Sequence, residues 1–203
     1  MTSMTKDLHS KLLSLIKRTG ILRAKDLAAH KIPREYLSRA IKSGEIVKLG
    51  RGIYTATEES LSTSFTLAQV TKVVPHAVIV LLSALRFHEI GTQNPHEVWI
   101  AVKRHGYKPK MEYPPLRVFH YSKESLKSGI EYHSIEGVKV AITSIEKTIA
   151  DCFKFRNKIG IDVCIEALQE AWRSNRLDMN KLSHEAKICR IYNVLRPYAE
   201  AIV

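Results

Sequence analysis

The sequence predicts an α+β protein in two parts, an N-terminal winged helix-turn-helix and a mixed α/β C-terminal domain with a small sheet and flanking helices. Three observations carry that prediction. Residues 24–54 read as helix, breaker, helix and hairpin (AKDLAAHKIPREYLSRAIKSGEIVKLGRGIY). The rest of the chain mixes short β-branched runs with helical patterns, without an internal repeat. The charge is also uneven: of a net +12, residues 1–55 hold 12 Lys and Arg against 4 Asp and Glu, a net of +8. A local basic excess of that kind is the electrostatic footprint of a phosphate-binding module.

At the front, Thr5 is positioned to cap a helix whose Leu8, Leu12, Leu15 and Ile16 follow the 3.6-residue period, with Gly20 ending it. Ile21 and Leu22 then form a short link. A second helical pattern covers Ala24 to His30 and meets the breaker Lys31-Ile32-Pro33. Pro33 suits the first turn of the next helix, because its φ is fixed and its missing N–H is not needed there. That helix runs from Arg34 to Ser43, and Gly44 follows as a left-handed C-cap. Its period turns Leu37, Ala40 and Ile41 inward. Glu35, Arg39 and Lys42 lie opposite, with Arg34, Tyr36 and Ser38 on the flanks. Glu45 to Leu49 and Ile53-Tyr54 bracket the turn Gly50-Arg51-Gly52 as a wing. A helix of this width fits the major groove, where Arg pairs bidentately with guanine. The candidate DNA-binding residues are Lys31, Arg34, Glu35, Tyr36, Ser38, Arg39, Lys42, Lys48 and Arg51. The plainer alternative is a charged face that only solvates a surface helix.

A shift to polar composition from Thr55 to Ser64 sets the expected domain boundary: residues 1–55 as the winged helix, 56–64 as linker, 65–203 as the second domain. In that second domain, Phe65 to Val74 reads as a helix ended by Pro75, and the apolar Ala77–Phe87 run as a buried helix. Strand patterns follow at Glu97–Val102 and Leu116–Tyr121, then a hairpin of Ile130–Ile135 and Val138–Ile142 turned by Glu136-Gly137. Thr143-Ser144 caps a helix over Ile145–Phe155. Asp162–Trp172 is another, and Ser183–Ile202 reads as one or two more, interrupted near Pro197.

Several function classes find no support. The longest apolar run is too short to span a bilayer, and the start MTSMTKDLHS lacks the apolar core of a secretory signal. Cys152, Cys164 and Cys189 have no C-x-x-C spacing and fall in helical patterns, as reduced core residues of a cytoplasmic protein do. No phosphate-binding Gly-rich loop, nucleophile elbow or H-E-x-x-H motif occurs. His88-Glu89, His96-Glu97 and His105 lack metal-ligand spacing on a shared face. No catalytic residue, metal site or cofactor is expected. Lys147 and Asp151 stand i, i+4 on one helix and are read as a surface ion pair. The basic Lys103–Lys110 loop suits either nucleic acid, an acidic partner, or solvent.

With these residues in view, the chain resembles the AbiEi family, antitoxins of type IV toxin–antitoxin (abortive infection) systems. The likeness rests on the wing exit Gly50-Arg51-Gly52-Ile53-Tyr54, on Leu82-Ser83-Ala84-Leu85-Arg86-Phe87-His88-Glu89-Ile90-Gly91, and on Val98-Trp99-Ile100-Ala101-Val102. It rests further on Thr143–Cys152, similar to the family's P-x-E-x-T-x-x-D helix, with Ser144 where the family often has proline. The resemblance implies a cytoplasmic regulator that binds inverted repeats in its own promoter and represses it. It also implies a second domain that counteracts a nucleotidyltransferase-type toxin, with no stable contact required. Glu146, Thr148 and Asp151 carry over as motif positions, without a catalytic role. Two other readings stand beside this one: a winged-helix regulator with a ligand-sensing or oligomerising second domain, and an enzyme delivered to nucleic acid. A single winged helix buries a modest interface, so a homodimer, or two monomers brought together on DNA, is expected.

Overall fold

Buried apolar residues on α1 (Thr2–Thr19), above all Leu12 and Ile16 with no exposure, give the N-terminal part its core. Around them close Leu22, Leu27, Ile32, Tyr36, Leu37, Ala40, Ile46 and Ala56. The computed structural model describes residues 2–50, 52–56, 63–104, 109, 111 and 114–202. The chain divides into two compact units: residues 1–75 with 110–115 and 134–139, and residues 76–109, 116–133 and 140–203.

In the first unit, helix α1 begins at Thr2, so the start expected at Thr5 lies inside it. Ile21–Arg23 is not a mere link. It is strand β1, paired antiparallel with β3 (Ile53–Ala56), which also pairs with β2 (Ile46–Gly50). The sheet order β1-β3-β2 completes the winged-helix topology. The helix expected over Ala24–His30 shrinks to one 3₁₀ turn, Asp26–Ala28. It has too few residues for an α-helical nucleus, and Lys31, with φ of 56°, closes it with backbone bonds from His30 and Lys31 to Leu27 and Ala28.

Helix α2 (Glu35–Lys42) follows, with Pro33 just ahead of its N-cap Arg34 rather than inside its first turn. It ends as the sequence predicts: Gly44 takes φ of 74°, and Glu45 N–H donates to Ala40 C=O at 3.0 Å, the paired bonding of a Schellman cap. Helix α3 (Thr63–Val73), which the sequence reading assigned to the second domain, belongs to the first unit. The Lys72 ammonium donates to the carbonyls of Thr19 and Ile21, and Arg23 donates to Lys72 C=O. The polar composition of Thr55–Ser64 suggested a boundary ahead of α3; most of that expected linker, residues 57–62, lies outside the described residues.

The second unit holds a five-stranded mixed sheet in the order β6-β5-β4-β8-β7, apart from the hairpin end at residues 134–139, which groups with the first unit. Its strands are β4 (Val78–Ile79), β5 (Val98–Lys103), β6 (Leu116–Tyr121), β7 (Ile130–Ile135) and β8 (Val138–Thr143). β4 lies at the centre, antiparallel to β5 and parallel to β8. The run expected as one helix, Ala77–Phe87, therefore splits into β4 and helix α4 (Leu81–Phe87). Val78, Ile79 and Val80 are β-branched and fill the sheet centre, and Leu81 turns the chain with φ of 52°. The β7–β8 turn matches the expected Glu136-Gly137, both with positive φ (48° and 68°), the geometry of a two-residue I′ hairpin.

Helices α5 (Ile145–Lys154), α6 (Arg156–Ile159), α7 (Ile161–Arg173), α8 (Met179–Ile188) and α9 (Tyr192–Glu200) complete this unit. The break in the last segment falls at Cys189–Ile191, where Arg190 has φ of 59°, and not at Pro197. Pro197 sits inside α9, whose two-and-a-half turns accommodate one missing donor. Asp178 starts α8 ahead of the expected Ser183, accepting from the N–H groups of Asn180 and Lys181 at 2.9 and 3.2 Å. Among the described residues no helix is long and apolar enough to cross a membrane.

Candidate nucleic-acid interface

Helix α2 sorts its side chains cleanly. Tyr36, Leu37 and Ala40 are buried, whereas Arg34, Glu35, Ser38, Arg39 and Lys42 are exposed. Two expectations change. Tyr36, a candidate DNA contact, is 4% exposed and belongs to the core, while Ile41, expected inside, is 39% exposed. Positions 36 and 41 flank the stripe of Leu37 and Ala40 on opposite sides, and the core that includes Leu12, Ile16 and Ile46 takes in Tyr36.

Tyr36 still bears on the face, because the Arg39 guanidinium lies over its ring at 5.2 Å. Arg39 also pairs with Glu35 at 3.8 Å, with both side chains more than half exposed. An exposed i, i+4 pair of this kind is worth about 0.3–0.5 kcal/mol. Arg39 is thus aligned along the helix, yet surrenders little if it swings to another partner.

The wing adds Lys48, exposed on β2, and Lys31 is exposed at the turn before α2. Gly52 C=O accepts from Ala24 N–H at 2.7 Å, which pins the wing base to the turn after β1. Arg51, the expected wing-tip contact, lies outside the described residues, as does most of the Lys103–Lys110 loop. Near the C-terminus of α2, Glu45 accepts from Ser43 and lies 2.9 Å from the His9 ring. The Ser43 hydroxyl, and behind it His9, hold the Glu45 carboxyl below its ordinary range.

Sequence reasoning missed Arg23, Lys25 and Lys72. They line a cleft of about 720 Å³ beside the start of α2, together with Arg34, Leu37 and Gly52. The strand identity of β1 and the membership of α3 were needed to bring them together.

In the second unit the motif positions gather on α5, whose residues 146 to 153 are all buried. Ser144 caps it, accepting from Lys147 N–H at 3.3 Å. Glu146 accepts from Asp178 N–H at 3.3 Å. The Thr148 hydroxyl lies 2.7 Å from that of Thr143. Lys147 and Asp151 are ion-paired with no exposure at all, so the expected surface pair is a core pair. The i, i+4 spacing is right, but α4, α7 and α8 cover both sides of the helix that carries it.

Lys147 also donates to Ser125 Oγ at 3.1 Å and reaches Cys189 Sγ at 3.3 Å. Burial alone pulls the Lys147 ammonium down, but the Asp151 carboxylate reverses this and raises it above the ordinary lysine range. Burial, then Asp151, pushes Cys189 up to about 11, and burial takes Cys164 to about 12. All three cysteines are buried free thiols, inert as nucleophiles in the folded state. A cleft of about 510 Å³ opens against the start of α5, lined in part by Gly129, Ser144, Glu146 and His184.

His88 joins this network from α4, its Nε2–H donating to Thr143 C=O at 2.7 Å. Burial, partly offset by that bond, depresses its pKa below 6.5. The folded chain therefore takes up its proton later than the unfolded chain as pH falls. His88 contributes its full stability above pH 6.5 and loses it as pH drops through the depressed value. His88→Gln is expected to flatten the stability–pH profile on the acid side of pH 6.5, read by urea unfolding at successive pH values. An unchanged profile would contradict this assignment.

The described residues hold no group of three His, Cys, Asp or Glu side chains able to bind a metal ion. Among curated proteins none matches the chain. Residues 10–57 match the family model described as "Transcriptional regulator, AbiEi antitoxin". The matched segment runs from α1 through β3 and contains α2 and the wing. By this match the winged-helix segment is similar to that of the AbiEi antitoxin family of transcriptional regulators, over about a quarter of the chain.

Proposed function

We propose that the protein is a DNA-binding autorepressor and a type IV antitoxin. In this reading the winged helix binds inverted repeats in its own promoter, and the second domain counteracts a nucleotidyltransferase-type toxin in the cytoplasm. The observation that carries the DNA half is the exposed row Arg34, Glu35, Ser38, Arg39 and Lys42 on α2, backed by a buried row that fixes its orientation. Eight residues make a rod about 12 Å long, short enough to lie within the major groove. Arg39 is its base reader. Leaving Glu35 costs it a few tenths of a kcal/mol, against about 1–3 kcal/mol from bidentate pairing to guanine. Tyr36 is the platform beneath Arg39 and touches no base. Glu35 holds Arg39 in register until DNA arrives.

Two copies on neighbouring half-sites, about 34 Å apart, supply the specificity that one small module lacks. The second domain antagonises the toxin without requiring a stable complex, and its α5 motif acts as the core that keeps that domain's surface in place. No residue of it acts as a catalyst.

Arg39→Ala is expected to cost about 1–3 kcal/mol of operator affinity and to relax preference at one base pair. Fluorescence anisotropy with promoter DNA and single-base variants measures both. Unaltered affinity and specificity would remove α2 as the reading helix. Deleting residues 1–75 should abolish repression of a promoter reporter. Toxin rescue in the same cells tells whether antagonism resides in the second unit.

A further inference from the structure

The cleft beside α2 is lined by four cations and no carboxylate: Arg23 from β1, Lys25 from the following turn, Arg34 at the N-cap of α2, and Lys72 near the end of α3. Such a lining is unusual, since buried or half-buried cations normally meet an acidic partner. Here the two deeper ones are held by neutral groups. Arg23 donates to Lys72 C=O, and Lys72 donates to the carbonyls of Thr19 and Ile21. Carbonyls fix the side chains in place but carry no charge to set against either cation. None of the four is ion-paired to a carboxylate among the described residues. Burial and the neighbouring Arg23 charge pull the Lys72 ammonium below its ordinary range, with Asp26 opposing them more weakly. The cleft is thus preorganised and repulsive when empty, a combination that a bound oxyanion relieves.

The walls fit the same occupant. Leu37 is apolar, and Gly52 brings bare backbone to the rim. The start of α2 carries no side-chain cap, while Glu35 in its first turn is directed to Arg39 and does not line the cleft. A volume of about 720 Å³ holds a phosphate group with room for what is attached to it.

We propose that this cleft is a phosphate-binding site, seating a phosphate group between β1, the start of α2 and the end of α3. The phosphate belongs either to the DNA backbone flanking the groove read by α2, which rests on the DNA-binding reading above, or to a free phosphate that would tune that binding. The site enlarges the basic surface beyond the reading face, and it recruits α3, a helix outside the family-matched segment, to the same task.

The test uses the full chain. Lys25→Gln with Lys72→Gln probes the cleft through two cations that lie off the α2 reading row, and its melting in chloride checks that the fold is kept. Lys123→Gln with Lys181→Gln, both exposed in the other unit, controls for the same loss of two charges. Binding to promoter DNA is titrated with salt, and thermal unfolding without DNA is followed in inorganic phosphate against chloride of equal ionic strength. For a DNA phosphate, the double variant lowers the log–log salt slope by about one to two, weakens binding about tenfold at low salt, and shows no phosphate-dependent melting shift. For a free phosphate, wild type is stabilised by phosphate, the double variant is not, and phosphate competes with DNA. If neither slope nor melting responds while Arg39→Ala still loses affinity, the cleft proposal falls and the DNA reading stands. If wild type binds no promoter DNA, the DNA reading falls, and the phosphate melting shift alone decides the cleft.

Discussion

Lys147→Met is expected to destabilise the second unit by about 3–5 kcal/mol, the cost of leaving one charge of a buried pair without its partner. The side chain of Lys147 has no exposure, and neither has that of Asp151. Removing the ammonium strands a carboxylate whose Oδ2 already has no hydrogen-bond partner, while Oδ1 keeps only the weak donor Cys189 Sγ at 3.2 Å. The Tyr121 ring also loses the nearer of its two cations, at 5.2 Å, and keeps Lys154 at 5.7 Å. Urea unfolding measures the loss. The double variant Lys147→Met with Asp151→Leu is expected to recover much of it, because two apolar side chains of similar volume need no partners. Equal destabilisation in single and double variants would mean that packing, not charge, sets the cost. The pH dependence has a definite sign. A raised lysine pKa contributes stability that is complete below 10.5 and is lost only as pH climbs through the folded value. The pair therefore holds across the physiological range and fails in alkali.

That pair also shows what could be read from sequence. The i, i+4 spacing, the Ser144 cap and the helix bounds were all legible, because each depends on neighbours along one helix. Burial of both charged faces was not, because it depends on α4, α7 and α8 closing over α5 from distant parts of the chain. The winged helix follows the same division. Gly44 announced its helix end through a local backbone requirement, and the exposed row on α2 followed from period. The swap of Tyr36 for Ile41 was not legible, because the two positions flank the Leu37–Ala40 stripe on opposite sides and only packing against the rest of the core decides between them. Strand β1 has only three residues, and its pairing with β3 spans about thirty positions, so no local pattern marks it. Missing it also hid the basic cleft, whose four cations come from three separate stretches.

Gly129→Ala is expected to be the other severely destabilising change, at about 2–5 kcal/mol, combining left-handed backbone strain with overpacking. Gly129 has φ of 59°, and a Cβ there would meet Lys147 Cβ at 2.5 Å and Glu185 Cδ at 3.2 Å. Lys147 Cβ sits on the backbone of α5 and cannot rotate away, so the helix start would have to move. That movement is resisted, because Ser144 N–H donates to Gly129 C=O at 2.8 Å and Ser144 caps the same helix. Gly137→Ala separates the two contributions: its φ of 68° is similar, but nothing lies within 4 Å of the added atom. It should therefore show the backbone cost alone, about 1–2 kcal/mol. The difference between the two variants in urea unfolding isolates the close approach of the Gly129 loop to α5. A difference near zero would mean that α5 yields at its first turn, and the Ser144 cap would then not be the fixed point from which the buried Lys147–Asp151 pair is aligned.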